Sequence, residues 1–296
     1  MTEFHADDYG LFPTQSQRIL DCYHEGVLNG VSVMPNSPWL PRCMEMLEEQ
    51  GARPLLSVHL NLMEDRCLSP KEEVPLLVDG DGVFRVSFGR LLLARLSPRR
   101  EAYKRQLKAE LRAQIAAAAP YLERAGAELR LDGHAHWHML PLAFDALMEL
   151  IAEEALPVRY IRIPMEPLSV YLRHGLRIFP FHPINVVKTL ILRLLSKRAL
   201  RRWGRELAGM EQKVFLGVLF SDHFSYEKMR MILPDAEAYA AARGMGLELL
   251  AHPGAVLEPE DIAKLTNRDD RRFLTSEGRR TEAEAFVRLR EELETV

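Results

Sequence analysis

The chain has 296 residues, of which 39 are basic and 42 acidic, so its formal charge is only -3. This balance gives no reason to expect nucleic acid as a partner, and an apolar fraction of 47% is ordinary for a globular enzyme. The three cysteines, Cys22, Cys43 and Cys67, form neither a C-x-x-C pair nor a close Cys/His cluster. Neither a disulfide framework nor a structural zinc site is therefore expected.

The first residues carry Glu3, Asp7 and Asp8 and show neither a basic region nor an apolar leader. No run of the sequence approaches the ~18 consecutive apolar residues of a membrane span. We therefore expect a cytoplasmic protein that is not exported.

Short apolar segments alternate with helix-patterned ones, which is typical of a parallel sheet built from βα units. The candidate strands are 2–7, 30–36, 55–62, 128–136, 158–165, 214–221 and 247–252. Seven such strands predict an α/β fold, a TIM-like (β/α) barrel that occupies residues 1–296 as one catalytic domain.

The helical segments have recognisable starts and stops. The first runs over 14–29, with Thr14 as its candidate N-cap and Asn29-Gly30 as its stop. The others are 37–50, 101–119, 142–155, 258–265 and 281–293.

Two excursions interrupt the alternation, at 63–100 and 164–210. The first is broken by Pro and Gly and contains a candidate hairpin at 76–84. The second holds a helix that is rich in both leucine and basic residues, around 187–205. Such a helix usually packs on its own domain or on a second copy, which makes a homodimer plausible, while contact with an anionic membrane is the less favoured alternative.

The stretch His5-Ala6-Asp7-Asp8-Tyr9-Gly10 ends the first strand with two adjacent carboxylates. Taken alone it is a turn signal, since Asp and Gly both tolerate the conformations that end a strand. Neighbours on an extended strand face opposite ways, so both carboxylates can serve one site only if the strand ends between them.

Polar side chains alternate with apolar ones along 55–62, so Ser57, His59 and Asn61 share one face of their strand. In a barrel this face would point into the interior near the mouth, where a metal or a substrate can satisfy it. The alternative for His59 is an isolated core histidine that is hydrogen-bonded to a neighbour.

The segment Asp132-Gly133-His134-Ala135-His136-Trp137-His138 places its acid and its three histidines on one side if the strand stays extended. His134 and His138 would then lie about 13 Å apart, because a strand rises about 3.3 Å per residue. One metal ion could therefore bind only one of the histidines, or an adjacent pair, unless the chain bends.

Further polar residues close other strands. They are Asn36, Arg162, Asp222 and His252. The carboxyl ends of barrel strands form the face on which active sites are built, and unrelated core histidines would have no cause to collect there. This convergence favours a metal-dependent active site.

These motifs together resemble the YdjC-like family of carbohydrate deacetylases, which includes chitooligosaccharide deacetylases. The likeness rests on His-Ala-Asp-Asp-Tyr-Gly, Ser-Val-His-Leu-Asn-Leu, Asp-Gly-His-Ala-His-Trp-His-Met-Leu-Pro and Ala-His-Pro-Gly, in this order over nearly the whole chain. The resemblance implies a barrel related to polysaccharide deacetylases and hydrolysis of the N-acetyl group of an amino sugar. It also implies one divalent metal, with Asp8, His59 and His134 as ligands and Asp7 as the base, although the two aspartates could be exchanged.

The residues suggest the same chemistry. An Asp/His/His site leaves positions for water and a carbonyl oxygen, a second carboxylate can accept the proton, and His252 can protonate the leaving amine. The side chains expected to orient the sugar or the base are Asn36, Asn61, His136, His138, Arg162 and Asp222. Carboxylate oxygen suits Mg²⁺ and imidazole suits Zn²⁺, so the ligand set does not decide the ion.

Two other functions stay open from the sequence. A metal-dependent phosphoester hydrolase uses similar Asp/His clusters, although a two-metal site usually has more carboxylates. A non-catalytic sugar-binding protein would bind its ligand without turnover.

Overall fold

The structure, a computed structural model, describes residues 2–178, 180–265 and 268–295. Its single sheet has seven strands, which are β1 (Thr2–Tyr9), β2 (Gly30–Val33), β3 (Leu55–Leu60), β4 (Leu129–Gly133), β5 (Val158–Ile161), β6 (Lys213–Leu216) and β7 (Gly246–Ala251). They pair in parallel in the order β5-β4-β3-β2-β1-β7-β6. The predicted α/β class with seven parallel strands is confirmed.

The sheet curls into a half-barrel whose two outer strands, β5 and β6, do not pair as a ladder. Tyr160 and Glu211 form an isolated parallel bridge between these edges, where the Glu211 amide donates to the Arg159 carbonyl at 2.9 Å. The arrangement is consistent with the predicted TIM-like barrel, but the barrel is not closed.

Helices cover the sheet and connect its strands. Their bounds are α1 (Pro13–Glu25), α2 (Leu40–Glu49), α3 (Phe88–Leu93), α4 (Arg100–Ala125), α5 (Pro141–Glu153), α6 (Leu168–Leu172), α7 (Pro183–Leu207), α8 (Tyr226–Ala241), α9 (Pro259–Ile262), α10 (Arg268–Leu274) and α11 (Glu277–Thr295). None of these described helices is long and apolar enough to cross a membrane.

The helices differ from the sequence prediction in several places. The helix α1 ends at Glu25 instead of 29, α4 continues through Pro120 to Ala125, and α3 and α6 were not predicted. The helix α1 also begins one residue early, with Pro13 in its first turn, and the Thr14 hydroxyl donates to Asp261 at 2.6 Å instead of capping the helix. Proline suits a first turn because its missing amide would have no partner there. The helices α8 and α10 were not predicted, and α8 contains Pro234, a residue that normally ends a helical pattern.

The fourth strand ends three residues before the predicted boundary. After Gly133 the chain turns into a 3-10 segment, His134–Met139, in which Ala135 and His136 have φ values of 47° and 60°. The bend needs a glycine because a Cβ at Gly133 would lie 2.6 Å from Nδ1 of His138. The strand therefore does not stay extended through the three histidines, which was the condition for them to share one face, and the predicted end of this strand at 136 is wrong.

The two excursions lie where the sequence placed them. The stretch 63–100 contains a 3-10 turn at Lys71–Glu73 and the helix α3. Its predicted hairpin at 76–84 is reduced to one isolated antiparallel bridge, Val78 to Phe84, and a second such bridge joins Arg66 to Val83. The second excursion contains α6 and α7.

The C-terminal helix α11 closes the fold against the amino end of the chain. Phe286 is fully buried, and its ring lies edge-on to Phe4 of β1 with 5.9 Å between centroids. Its carbonyl accepts a hydrogen bond from the Val27 amide at 3.1 Å. This packing fixes the helix that also carries Arg279.

We expect Phe286→Ala to lower the free energy of unfolding by about 3–5 kcal/mol, because it removes a buried aromatic ring and leaves a cavity. Urea denaturation followed by circular dichroism measures the change. The matched control is Leu293→Ala in the same helix, which is 62% exposed and should change stability by less than about 0.5 kcal/mol. Equal losses in the two variants would contradict the packing role of Phe286.

Candidate active site

Both carboxylates at the end of β1 reach the same histidine. Asp8 has a φ of 68°, and the register of β1 against β2 shifts between Ala6 and Tyr9. This local turn brings Asp8 Oδ1 to 3.5 Å from Nε2 of His59, while Asp7 Oδ2 lies 3.8 Å from the same nitrogen. The strand does not end between Asp7 and Asp8, as the sequence analysis required, because β1 continues to Tyr9. A left-handed residue inside the strand, Asp8, breaks the alternation instead.

Asp8, His59 and His134 form a cluster in which one potential ligand atom of each lies within 4.8 Å of the others. Asp8 Oδ1 lies 3.0 Å from Nδ1 of His134 and 3.5 Å from Nε2 of His59. These are the three side chains that the family resemblance implies as ligands. Two other groups of this kind in the described part of the chain share His5, and every carboxylate in them is paired with a buried cationic side chain, Arg130, Lys213 or Arg162. In the Asp8 cluster, Arg279 contacts only Oδ2 of Asp8, so Oδ1 faces the two histidines and this cluster is the better cation site.

Each imidazole of this cluster turns its second nitrogen to another carboxylate. His59 Nδ1 lies 2.6 Å from Asp132, and His134 Nε2 lies 2.6 Å from Glu64. Metal-binding histidines are typically held in this way, because the outer carboxylate fixes the ring and raises its basicity. Three ligands of this kind would leave positions for water and substrate, so the residues fit a divalent metal.

The charges of the cluster support the same conclusion. Burial opposes ionisation of Asp8, but hydrogen bonds from His134 and His59, together with Arg279, hold its pKa well below the usual range. Burial also opposes protonation of His59, yet the carboxylates of Asp7 and Asp132 outweigh it and raise its pKa to about 9. Carboxylates that stabilise an imidazolium here would also stabilise a divalent cation.

Arg162 is fully buried and fixes Asp7. Its Nη1 lies 2.9 Å from both oxygens of Asp7, and its Nη2 lies 3.1 Å from Asp132 and 2.6 Å from Glu248. Arg162, which was expected to orient the sugar or the base, therefore holds three carboxylates next to the Asp8 cluster. We call the Asp8 cluster and the side chains that contact it the centre.

Two residues of the centre were missed by the sequence analysis. Arg279, from α11, donates to Asp8 Oδ2 at 2.7 Å and to the Gly254 carbonyl at 2.7 Å. Glu64 lies in the first excursion and contacts His134. Neither belongs to a strand end or a motif, so no local signal points to them. Asp132 did carry a signal, because it precedes the histidine motif on its strand.

Asn36 and Asn61 are engaged in holding the loop that carries Glu64. The Asn36 amide donates to the carbonyls of Glu64 and Arg66 at 3.1 and 3.2 Å. The Asn61 oxygen accepts from the amides of Met63 and Glu64 at 3.0 and 3.1 Å. The two asparagines, predicted to bind substrate, thus position the loop next to the centre.

His136 and His138 are buried side by side, with 6.3 Å between the centroids of their rings. His138 Nε2 donates to the Arg162 carbonyl at 2.9 Å, and burial lowers its pKa to about 4. The His136 ring lies edge-on to Phe215, and burial with the nearby Arg162 charge holds its pKa well below the usual range. Both rings are therefore neutral near pH 7.

His252 and Asp222 meet at Glu282. The amides of both residues donate to this buried carboxylate, at 2.6 and 2.8 Å. The His252 ring lies edge-on to Phe273, and the Arg279 guanidinium covers the same phenyl ring at 4.5 Å. His252 is thus linked to the Asp8 cluster through one aromatic ring and one arginine.

A cavity of about 270 Å³ adjoins the cluster through Glu64. Aromatic and charged side chains line it, including Phe12, Trp39, Phe84, Asp65 and Lys264. A larger cavity of about 630 Å³ lies at the opposite, amino end of the strands, near Leu55 and Arg130. Because the Asp8 cluster lies at the carboxyl end of the strands, the larger cavity is remote from it. The smaller cavity is therefore the candidate substrate groove.

Comparison with known proteins places these motifs in a family. The profile of the YdjC-like protein family matches residues 3–289. A carbohydrate deacetylase of Thermoanaerobacter pseudethanolicus is 27% identical over 200 residues, 65% of this chain and 74% of that protein. A carbohydrate deacetylase of Danio rerio is 26% identical over 61% of this chain and 53% of its own length. The match thus spans about half of the Danio protein.

Two further relatives extend the comparison. A chitooligosaccharide deacetylase of Yersinia pestis is 27% identical over 58% of this chain and 61% of that protein. A crystal structure from Enterococcus faecalis V583, of a candidate cellobiose-phosphate cleavage protein, superposes with a TM-score of 0.66 at 18% identity. It covers 99% of this chain and 94% of the other. At this identity the superposition shows a shared fold.

We expect Asp132→Asn and Glu64→Gln each to weaken Zn²⁺ binding about 10- to 100-fold, because each removes the carboxylate that orients one histidine. Isothermal titration calorimetry of metal-stripped protein measures the affinity. The control is Glu227→Gln, an exposed side chain of α8. Unchanged affinity in both site variants would refute the assignment of the two outer carboxylates.

The raised pKa of His59 predicts how the stability of the metal-free protein depends on pH. Because its folded pKa of about 9 lies above the ordinary value of 6.5, its protonation stabilises the fold fully below pH 6.5 and loses this effect as pH rises through 9. ¹⁵N NMR of the imidazoles in metal-stripped protein would show the titration, with His59→Gln to assign the signal. A titration midpoint near 6.5 would contradict this electrostatic account.

Proposed function

Because the chain belongs to the YdjC-like family over nearly its full length, we propose that it is a metal-dependent hydrolase that removes the acetyl group from an N-acetylated amino sugar or short oligosaccharide. The names of its carbohydrate and chitooligosaccharide deacetylase relatives support the substrate class. The observation that carries the proposal is the cluster of Asp8, His59 and His134, with a carboxylate behind each histidine.

In this proposal Asp8, His59 and His134 hold one divalent ion, Mg²⁺ or Zn²⁺. Such an ion would lower the pKa of water and polarise the amide carbonyl of the acetyl group. Asp132 and Glu64 keep the two imidazoles turned toward Asp8. Arg279 holds the second oxygen of Asp8, which leaves Oδ1 to face the histidines.

Asp7 acts as the general base. Its carboxylate lies next to His59 and is oriented by both of its contacts with Arg162. It accepts the proton as water attacks the carbonyl carbon. When the tetrahedral intermediate collapses, the sugar nitrogen leaves and takes a proton from His252, whose ring is held against Phe273.

The sugar would occupy the cavity beside Glu64. Trp39 is 36% exposed there and offers an aromatic face, while Asp65 and Lys264 offer hydrogen-bonding groups. Asn36 and Asn61 shape this groove through the loop that they hold, and Asp222 lies farther away beside Ser276. Aromatic and polar groups together are the usual lining of a small-molecule site.

We expect the purified protein with divalent metal to release acetate from N-acetylated chitooligosaccharides, and Asp7→Asn to reduce kcat about 10²- to 10⁴-fold, because it removes a general base. His59→Ala should abolish activity and metal binding together. An enzymatic acetate assay gives the rates, with Asp79→Asn in the first excursion as a control that keeps wild-type activity. Equal acetate release from wild type and both site variants would overturn the proposal.

A further inference from the structure

The helix α7 turns its aliphatic side chains to the outside and polar ones to the inside. Its outward aliphatic residues are 36–68% exposed and comprise Ile184, Val187, Leu190, Ile191 and Leu194. Asn185, Thr189 and Ser196 are buried on the opposite side, together with Leu192 and Leu195. A helix that only covered its own domain would show the reverse pattern. We call the exposed side chains of 184–205 the outer stripe of α7.

The outer stripe changes from aliphatic to basic along the helix axis. Beyond Leu194 its exposed residues are Lys197, Arg201, Arg202 and Arg205. Arg202 also pairs with Asp145 at 3.1 Å, whereas no described acidic side chain pairs with Lys197, Arg201 or Arg205. The only acidic residue in the sequence of α7 is Glu206. From Ile184 to Arg202 the stripe is about 27 Å long at 1.5 Å per residue, and Arg205 follows a kink of the helix at Trp203.

The contacts of α7 orient this stripe relative to the active-site face. Near the start of the helix, the Asn185 amide donates to the Ser221 carbonyl at 2.9 Å, beyond the carboxyl end of β6. At the other end, the Leu207 carbonyl accepts from Gln212, just before β6 begins, at 2.7 Å. The aliphatic half therefore lies toward the active-site face and the basic half toward the amino end of the sheet.

We propose that the outer stripe of α7 binds the surface of an anionic lipid bilayer. Aliphatic side chains on one exposed face enter the boundary between headgroups and acyl chains, while lysine and arginine attract anionic headgroups. Clustered exposed aliphatic residues next to unpaired basic ones satisfy both requirements. This inference concerns a surface outside the active site and does not depend on the reaction proposed above.

A second copy of the chain fits this stripe less well. In a two-fold dimer with antiparallel α7 helices, the basic half of each stripe would cover the aliphatic half of the other. In a parallel pair the basic halves would face each other. Either arrangement would bury guanidinium groups such as Arg201 and Arg205 without acidic partners, which is costly. Anionic lipid supplies the missing negative charge.

The test is sedimentation of the full chain with vesicles of phosphatidylcholine, with and without phosphatidylglycerol. We expect binding only to the anionic vesicles, and weaker binding at higher salt concentration. Arg201→Gln combined with Arg205→Gln should reduce partitioning about 25-fold, because each basic residue near an anionic surface contributes about fivefold. Leu190→Gln combined with Leu194→Gln should also reduce binding, because the polar side chains would not enter the bilayer. Both leucines are exposed, so the substitutions should leave the fold intact.

Matched controls separate the stripe from general charge and hydrophobicity. Arg100→Gln combined with Arg105→Gln removes two exposed charges from α4, and Leu293→Gln removes one exposed leucine from α11. Both controls should bind the vesicles as the wild type does. The proposal is overturned if the wild type does not bind anionic vesicles, or if the control variants lose binding as much as the stripe variants do. It is also overturned if light scattering shows a dimer that the leucine variant dissociates and that the vesicles leave intact.

Discussion

The arrangement of the centre depends on one buried cation, the guanidinium of Arg162, which follows β5 and meets carboxylates from three other strands. Asp7 comes from β1, Asp132 from β4 and Glu248 from β7. A buried arginine is tolerated only where its charge is compensated and its donors are used, and the three acids meet this requirement. The pair with Glu248 also spans the interior from the end of β5 to β7, the neighbour of the outer strand β6. A further ion pair, between Arg130 of β4 and Glu211 just before β6, joins the two sides of the half-barrel where the backbone ladder is missing.

The buried polar side chains around Arg162 form a hydrogen-bond network that extends from the Asp8 cluster toward the amino end of the sheet. Asp132 is shared between Arg162 and His59, and it also accepts a hydrogen bond from Ser32. The Ser32 hydroxyl contacts His5, whose other ring nitrogen lies 2.6 Å from Glu3. A barrel interior filled with aliphatic residues would pack the strands but could not orient an imidazole. Here polar side chains fill this part of the interior, and the hydrogen bonds between them hold the His59 ring in one orientation.

The sequence predicted the parts of this fold that depend on periodicity. Alternation in β3 placed His59 on the inner face, and the polar residues at strand ends indicated the face that holds the centre. It could not predict the turn at Gly133, because the need for glycine arises from the packed ring of His138. Arg279 and Glu64 were missed for a related reason: they reach the centre by tertiary packing of α11 and of the first excursion. The helix α8 was missed because Pro234 lies inside it.

Adjacent aspartates in one centre could have been interchangeable, but their surroundings separate them. The left-handed backbone at Asp8 costs of order 1 kcal/mol or more and is maintained only by strong contacts. Those contacts are two imidazoles, which face Oδ1 of Asp8, and Arg279, which contacts Oδ2. Asp7 contacts Arg162 with both oxygens and lies farther from the histidines. Each carboxylate thus has its own arginine, and this difference supports the proposal that Asp8 is the ligand and Asp7 the base.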